Sequence, residues 1–324
     1  MTDSPLIAGS LLLTGASGFV GKSVLSSLVA AKRWRIVCAS RRASSRDVEH
    51  VPFDLSTSFD LQSSLEGIGC VVHMAARVHV MNETVADPLG AFRAINVDAT
   101  LELARQAARA GVRRFIFLSS IKVNGEQTAP RQPFTVQDRP QPQDPYGISK
   151  HEAEQGLRAL AAETGMEVVV IRPVLVYGPG VKANFHSMMS WLSKGIPLPL
   201  GAIANKRSLV ALDNLVDLIV TCVDHPAAAN QTFLVSDDED VSTSELLRRM
   251  AYALGKPARL LPVPASLLQV GATLLGKRDV ARRLCGSLQA DISHTKARLN
   301  WAPPVSLDQA LMRTAQEFLE HPSL

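Results

Sequence analysis

Three glycines stand directly after a short apolar run and at the start of a helical pattern. Leu11-Leu12-Leu13 leads into Gly15, Gly18 and Gly21, and helix-forming residues run from Phe19 to about Ala31. A strand that turns at once into a helix needs backbone freedom at the corner, and glycine supplies it. The helix start then presents unpaired N–H groups and the positive end of its dipole. Such a corner accepts a pyrophosphate, with Gly15, Ser17, Gly18, Phe19, Val20 and Gly21 around it. The spacing is G-x-x-G-x-x-G, which departs from the G-x-G-x-x-G fingerprint. The other reading of the glycines is tight packing alone.

The rest of the first half repeats the alternation of strand and helix. Arg35 to Ser40 reads as the second strand, and a third ends near Phe53. Val71 to Met74, Arg114 to Leu118 and Val168 to Ile171 follow, with a long helix from about Pro88 to Ala110 between the fourth and fifth. The apolar runs are continuous rather than alternating, so the strands should be covered on both faces. This predicts an α/β fold of Rossmann type, a doubly wound parallel sheet. From Pro173 onward proline and glycine break the order. Helices are expected at Asp213 to Val223, Ser242 to Leu254, Ala265 to Leu275 and Leu307 to Leu319, and a strand at Thr232 to Val235. At 324 residues the chain is long for one domain. The expected division is interleaved: residues 1–175 with about 208–236 form a dinucleotide-binding body, and about 176–207 with 237–324 form a smaller, mainly helical substrate domain.

At the end of the second strand an acidic residue would bind a ribose 2′-hydroxyl, whereas arginine accommodates a 2′-phosphate. The chain has Arg41 and Arg42 there and no acid, which favours NADP(H) while leaving NAD(H) possible. Asp54 and Leu55, after the third strand, are placed to touch the adenine edge.

Asp144-Pro145 opens a helix well, the first as a cap and the second in the first turn. Tyr146 and Lys150 then lie four residues apart on one face. A neighbouring ammonium should lower the tyrosine pKa and make it a usable acid/base. Ser119-Ser120 closes the fifth strand at the carboxyl edge, where ligands of such sheets bind and a serine hydroxyl can bond a reacting oxygen. Asn96, in the preceding helix, is placed to support the lysine through water.

With the glycine turn, His73-Met74-Ala75-Ala76, Ser119-Ser120, Tyr146-Gly147-Ile148-Ser149-Lys150 and Arg172-Pro173, the chain resembles an extended short-chain dehydrogenase/reductase. The resemblance is to the nucleotide-sugar epimerase/dehydratase/4-ketoreductase branch and runs from about Leu11 to Leu319. It implies that Ser120 and Tyr146 are catalytic and that Lys150 binds the nicotinamide ribose. It adds Ala75, Ala76 and Pro173 to the cofactor contacts. For the substrate it implies a nucleotide-diphosphate sugar, UDP-linked, met by Ser120, Lys122, Asn184, Phe185, Leu200, Arg207 and Arg282 or Arg283. A homodimer through the helices near Pro88 to Ala110 and Tyr146 to Glu163 is also implied.

The reaction is narrower than the family. Ile121-Lys122 stands where the 4,6-dehydratases carry an Asp-Glu pair, and Asn124 where 4-epimerases often carry tyrosine. A reductase must exchange spent cofactor, and Arg41-Arg42 favours the phosphorylated one. The leading expectation is therefore 4-keto reduction of a UDP-4-keto-6-deoxy-N-acetylhexosamine in surface-polysaccharide synthesis. The alternative is a UDP-glucose or UDP-N-acetylglucosamine 4-epimerase. Steroid- or flavonoid-type reduction and a non-catalytic cofactor-binding regulator come after these.

Composition excludes other classes. Aromatics are 5%, too few for a nucleic-acid stacking platform, and the net charge of +4 is dispersed. Cys38, Cys70, Cys222 and Cys285 form no C-x-x-C pair, which fits a reducing, cytoplasmic setting. His73 and His79 lack a spaced partner, so no metal is expected, and His186 reads as packing or a sugar contact. Leu6 to Val20 lacks the basic start of a signal peptide, carries Asp3 and is broken by glycines. Leu260 to Leu275 contains Pro262, Pro264 and Gly271 and is too short to span a membrane. It reads as a packed helix from near Ala265. A peripheral membrane or dimer contact is the other reading, because Lys277-Arg278 and Arg282-Arg283 follow directly.

Overall fold

The computed structural model describes residues 9–43, 48–78, 86–274, 276 and 278–321. Asp3, Leu6, His79, Leu275 and Lys277, all used in the sequence reading, lie outside them. Ten strands occur among the described residues: β1 (Ser10–Thr14), β2 (Arg35–Ser40), β3 (Glu49–Pro52), β4 (Ile68–His73), β5 (Arg114–Leu118), β6 (Glu167–Pro173), β7 (Leu175–Tyr177), β8 (Arg207–Ala211), β9 (Thr232–Val235) and β10 (Asp240–Val241). Seven form a parallel sheet in the order β3-β2-β1-β4-β5-β6-β9. This is a Rossmann-type α/β fold. The strand order reverses beside β1, which opens a crevice at the carboxyl ends where ligands of such sheets bind.

The sheet explains why β1 is apolar throughout. Leu11 and Leu13 pack on one face with Val24, Leu25 and Leu28 of the helix Phe19–Ala31. Leu12 packs on the other face with Leu103, Ala104 and Phe115. Successive side chains leave a strand on opposite sides, so a sheet covered twice needs an unbroken run.

The long helix begins at Pro88, capped by Asp87, whose carboxylate accepts the Gly90 N–H at 2.9 Å. It passes through a π-helical turn, Ala94–Ala99, before continuing as Thr100–Arg109. The wider turn carries the buried Asn96 inward. Such turns recur at functional sites.

A second sheet, β10-β8-β7, joins β7 and β8 in parallel and β8 and β10 antiparallel. A further apolar core gathers Tyr177, Phe185, Leu200, Leu209, Leu247 and Leu311. The sequence reading did not mark β7, β8 or β10, nor the helices Ala183–Ser193, Arg278–Cys285 and Ser293–Leu299. They are short, and their partners are remote in sequence.

The helix Ala265–Leu274 departs from the packed expectation, since none of its residues is fully buried. Leu268 packs against the second core, while Leu267, Val270 and Leu274 face solvent.

Candidate active site

One cleft of about 690 Å³ runs along the carboxyl edge of the large sheet. Gly15, Ser17, Gly18, Phe19, Val20 and Gly21 line one end, with Arg41, Asp54 and Leu55 beside them. Ala75 and Ala76 line the middle, and Ser120, Tyr146, Lys150 and Pro173 the other end. Residues from sequence positions 15 to 173 are thus brought to one space.

The three glycines divide the work. Gly15 has φ +74°, and a Cβ there would come within 2.6 Å of the Ala75 nitrogen. A Cβ on Gly21 would lie 2.0 Å from the Gly15 carbonyl oxygen. These two positions are fixed by packing, as the second reading of the turn required. Gly18 is different: its φ is −75°, and the nearest atom to a Cβ is the Gly15 oxygen at 3.2 Å. It is the helix N-cap, with no side-chain cap bond and no acid in the first turn. The helix end therefore keeps donors and positive charge for an anion. A dinucleotide's pyrophosphate fits this corner.

The floor of the cleft is set by a buried polar chain. The Ala75 N–H donates to Thr14 Oγ1 at 3.3 Å, and Thr14 Oγ1 lies 2.7 Å from His73 Nδ1. His73 Nε2 lies 3.0 Å from Thr100 Oγ1. Burial, followed by the charge of Lys150, pulls the His73 pKa down to about 3, so its ring is neutral. A neutral ring donates through one nitrogen and accepts through the other, so His73 links the two threonine hydroxyls in a single chain.

The direct hydrogen bonds of Asn96 go to the backbone of Arg77 and to Ser149, the neighbour of Lys150. Its Oδ1 accepts the Arg77 N–H at 2.8 Å, and its Nδ2 donates to the Arg77 carbonyl and to Ser149 Oγ, both at 3.0 Å. It clamps the segment that carries Ala75 and Ala76 past the cleft.

At the reactive end, Ser120 caps a short 3₁₀ turn by accepting the Lys122 N–H at 3.3 Å. Ser119 is buried and donates to Glu154 Oε1 at 2.6 Å. Asp144 caps the helix Pro145–Thr164 by accepting the Gly147 N–H at 2.7 Å. Tyr146 is half-buried and packs edge-on against Phe92. The Lys150 ammonium sits 4.1 Å from the centre of the Phe117 ring.

The tyrosine pKa moves opposite to the sequence expectation. Burial, then the charge of Asp144, pushes it up to about 12. Burial also lowers Lys150 to about 7, against the opposing charge of Glu154. Desolvation penalises both charged forms, and no sequence spacing reports it.

Asp54 lines the cleft, and several other expected residues lie off it. Arg42 is exposed and off the cleft wall, its carbonyl accepting from Ser40 Oγ at 2.8 Å. Asp54 is tied in a local turn with Ser56, whose N–H and hydroxyl donate to its Oδ1 and lower its pKa. Lys122 pairs with Asp144 at the helix cap. Asn184 is exposed in the first turn of its helix. Phe185 is buried and stacks on Tyr177 at 5.3 Å. Leu200 is a core residue. Arg207 donates to the carbonyls of Arg283 and Gly286 at 2.8 and 3.2 Å, capping the helix Arg278–Cys285. Arg282 is exposed on that helix. None of these substrate-side residues lines the cleft, where Ser120 represents that set.

The sequence reading missed Met74, Arg77, Ile95, Leu118, Val174 and Val176 on the cleft wall. Adjacency to Ala75 and Pro173 was the signal for most of them. Away from the cleft, Glu317, Glu320 and His321 bring ligand atoms within 4.8 Å of one another at the exposed end of the last helix, a grouping the sequence reading did not mark.

The profile of the NAD dependent epimerase/dehydratase family matches residues 11–236. The chain belongs to the NAD-dependent epimerase/dehydratase family. It is 52% identical over 315 residues to a UDP-glucose 4-epimerase of Vibrio cholerae, covering 96% of each chain. Among solved structures it is similar to UDP-glucuronic acid 4-epimerase from Bacillus cereus in complex with NAD. That match has TM-score 0.77 at 19% identity and covers 96% of both chains. It is also similar to UDP-glucose 4-epimerase with UDP-glucose from Thermotoga maritima. Here the TM-score is 0.75 at 21% identity, over 97% of this chain and 100% of the other. As a family member it is an enzyme of the extended short-chain dehydrogenase/reductase type. Among the described residues no helix is long and apolar enough to cross a membrane.

Proposed function

We propose that the protein is a UDP-sugar 4-epimerase acting on UDP-glucose or UDP-N-acetylglucosamine. The observation that carries this reading is the convergence of Ser120, Tyr146 and Lys150 on the cleft of the glycine turn, in a chain 52% identical to a UDP-glucose 4-epimerase. This takes the second of the two reactions weighed from the sequence. A nicotinamide dinucleotide bound there would supply a reversible acceptor for the hydride that leaves the sugar C4.

The chain's own residues handle the proton. Tyr146 Oη takes the C4 hydroxyl proton and later returns it, and Ser120 Oγ holds the same oxygen. Because burial disfavours the phenolate, Tyr146 needs the Lys150 ammonium beside it. Ile121 and Lys122, after Ser120, offer no acid–base pair for eliminating water, so dehydration is not the reaction. Residues 1–175 with about 208–236 hold the cofactor in this reading, and the remainder holds the nucleotide sugar. The protein works in the cytoplasm as a homodimer.

Purified protein given UDP-glucose or UDP-N-acetylglucosamine should form the 4-epimer, resolved by chromatography, without added cofactor. Tyr146→Phe should abolish turnover and leave dinucleotide binding intact. Retained turnover in that variant would remove Tyr146 from the chemistry.

Arg41 on the cleft wall favours the second reading, a 4-keto reductase using NADPH. That reading requires oxidation of NADPH in proportion to a 4-keto sugar, and no interconversion of epimers.

A further inference from the structure

The helices Ala265–Leu274 and Arg278–Cys285 pack together as a hairpin. Its root is paired to the segment near Leu198: the Leu198 N–H donates to the Arg259 carbonyl, and the Leu261 N–H to the Leu198 carbonyl. One side faces inward, where Leu268, Leu284 and Cys285 pack on the second core. The other side is left uncovered.

Leu267, Val270 and Leu274 are 62%, 59% and 83% exposed. Their spacing of three and four residues places them in one stripe along the helix. Leu261 at the root is exposed as well. Trp191 and Ile196 are also exposed and are joined by the Ile196 N–H donating to the Trp191 carbonyl. Gly195, next to Ile196, borders Arg259. These six account for half of the twelve large hydrophobics exposed among the described residues, so the apolar surface is concentrated here.

Charge is concentrated in the same place. Residues 259–283 contain five basic side chains and one acidic one, a net of +4, which equals that of the entire chain. Arg259, Arg278, Arg282 and Arg283 are all exposed. A second copy of this chain would bring that charge against itself. An anionic bilayer satisfies both features, because acyl chains receive the leucine stripe and headgroups receive the arginines.

We propose that this hairpin is a docking surface for an anionic membrane face, so that the protein binds the bilayer peripherally. The surface is separate from the cleft, and the proposal stands whichever reaction the cleft performs.

Vesicle flotation of the full chain with pure phosphatidylglycerol, and separately with pure phosphatidylcholine, tests it. Binding to phosphatidylglycerol and not to phosphatidylcholine is expected, weakening as salt rises. The variant Arg259→Gln/Arg278→Gln/Arg283→Gln should bind about 100-fold more weakly, on the scale of one headgroup interaction per arginine. Leu267→Asn/Val270→Asn/Leu274→Asn keeps the charge and should weaken binding by at least about tenfold. Both variants should keep the wild-type circular dichroism spectrum. The control Arg33→Gln/Arg35→Gln/Arg298→Gln removes the same charge from exposed positions elsewhere and should bind as wild type does.

Absence of binding to phosphatidylglycerol at low salt would overturn the proposal. An equal loss in the control would do so too, since only net charge would then matter. So would variants that convert a dimer to a monomer without changing vesicle binding, because the patch would then be covered by a second copy.

Discussion

Arg172 and Glu154 meet in the interior as a two-pronged pair, Nε to Oε1 at 2.9 Å and Nη2 to Oε2 at 2.5 Å. Both side chains are almost wholly buried. Arg172 also donates to Asn124 Oδ1 at 2.9 Å, and Glu154 accepts from Ser119 Oγ. The pair ties β6, the catalytic helix and the serine pair into one unit. Removing one charge strands the other without water, which typically costs about 3–5 kcal/mol. Glu154→Gln should therefore lose stability on that order in urea unfolding and lower turnover as Ser119 shifts. A loss below about 1 kcal/mol would show that the pair contributes little.

Lys150 makes stability depend on pH. Its pKa is lowered to about 7 in the fold, against about 10.4 for a free lysine. Between these values the unfolded chain holds more protons, so stability without ligand rises as pH rises from about 7 towards 10. Tyr146, raised to about 12, works the other way only above about pH 10. Lys150→Met should flatten the rise, stabilise the fold at pH 7 by on the order of 2 kcal/mol, and abolish turnover. Urea titrations at about pH 7 and 9 check this, and an unchanged slope in the variant contradicts it.

The glycine turn separates folding from binding. Gly18→Ala meets an acceptable φ and a contact at 3.2 Å, so melting should shift by only a few degrees, roughly 1 kcal/mol or less. Gly18 lines the cleft, so an added methyl should weaken dinucleotide binding by about tenfold, the scale of one hydrogen bond. Gly21→Ala would put its Cβ 2.0 Å from the Gly15 oxygen and should fail to fold stably. Calorimetric titration and melting curves distinguish the two. Equal behaviour would mean that Gly18 is also a packing glycine.

Arg41 is the cleft-lining arginine at the end of β2, and Arg42 is off the wall. Arg41→Glu should weaken NADP binding by about tenfold or more, the scale of one charge-assisted hydrogen bond. NAD binding should change less than about threefold. Fluorescence titration with each cofactor measures this. A larger loss for NAD would place Arg41 away from any 2′-phosphate.

The large sheet was legible because its strands are continuous apolar runs bounded by turns. β2, β5 and β9 carry the limits read from the sequence, and the helix Phe19–Ala31 does as well. The cleft was legible where local chemistry marks it, at Gly15, Ser120, Tyr146 and Lys150. Long-range contacts were not. Nothing local shows that Lys122 pairs with Asp144, that Arg207 caps a helix some seventy residues away, or that Phe185 is core. The direction of the Tyr146 pKa was hidden for the same reason, since burial is a property of the folded neighbours.

Return of the abstracted hydride distinguishes epimerisation from reduction most directly. UDP-glucose deuterated at C4, incubated with the purified protein alone, should give UDP-galactose that keeps its deuterium, read by mass spectrometry, with no net cofactor consumption. Absence of the epimer, together with NADPH oxidised in step with reduction of a UDP-4-keto sugar, would contradict the 4-epimerase assignment.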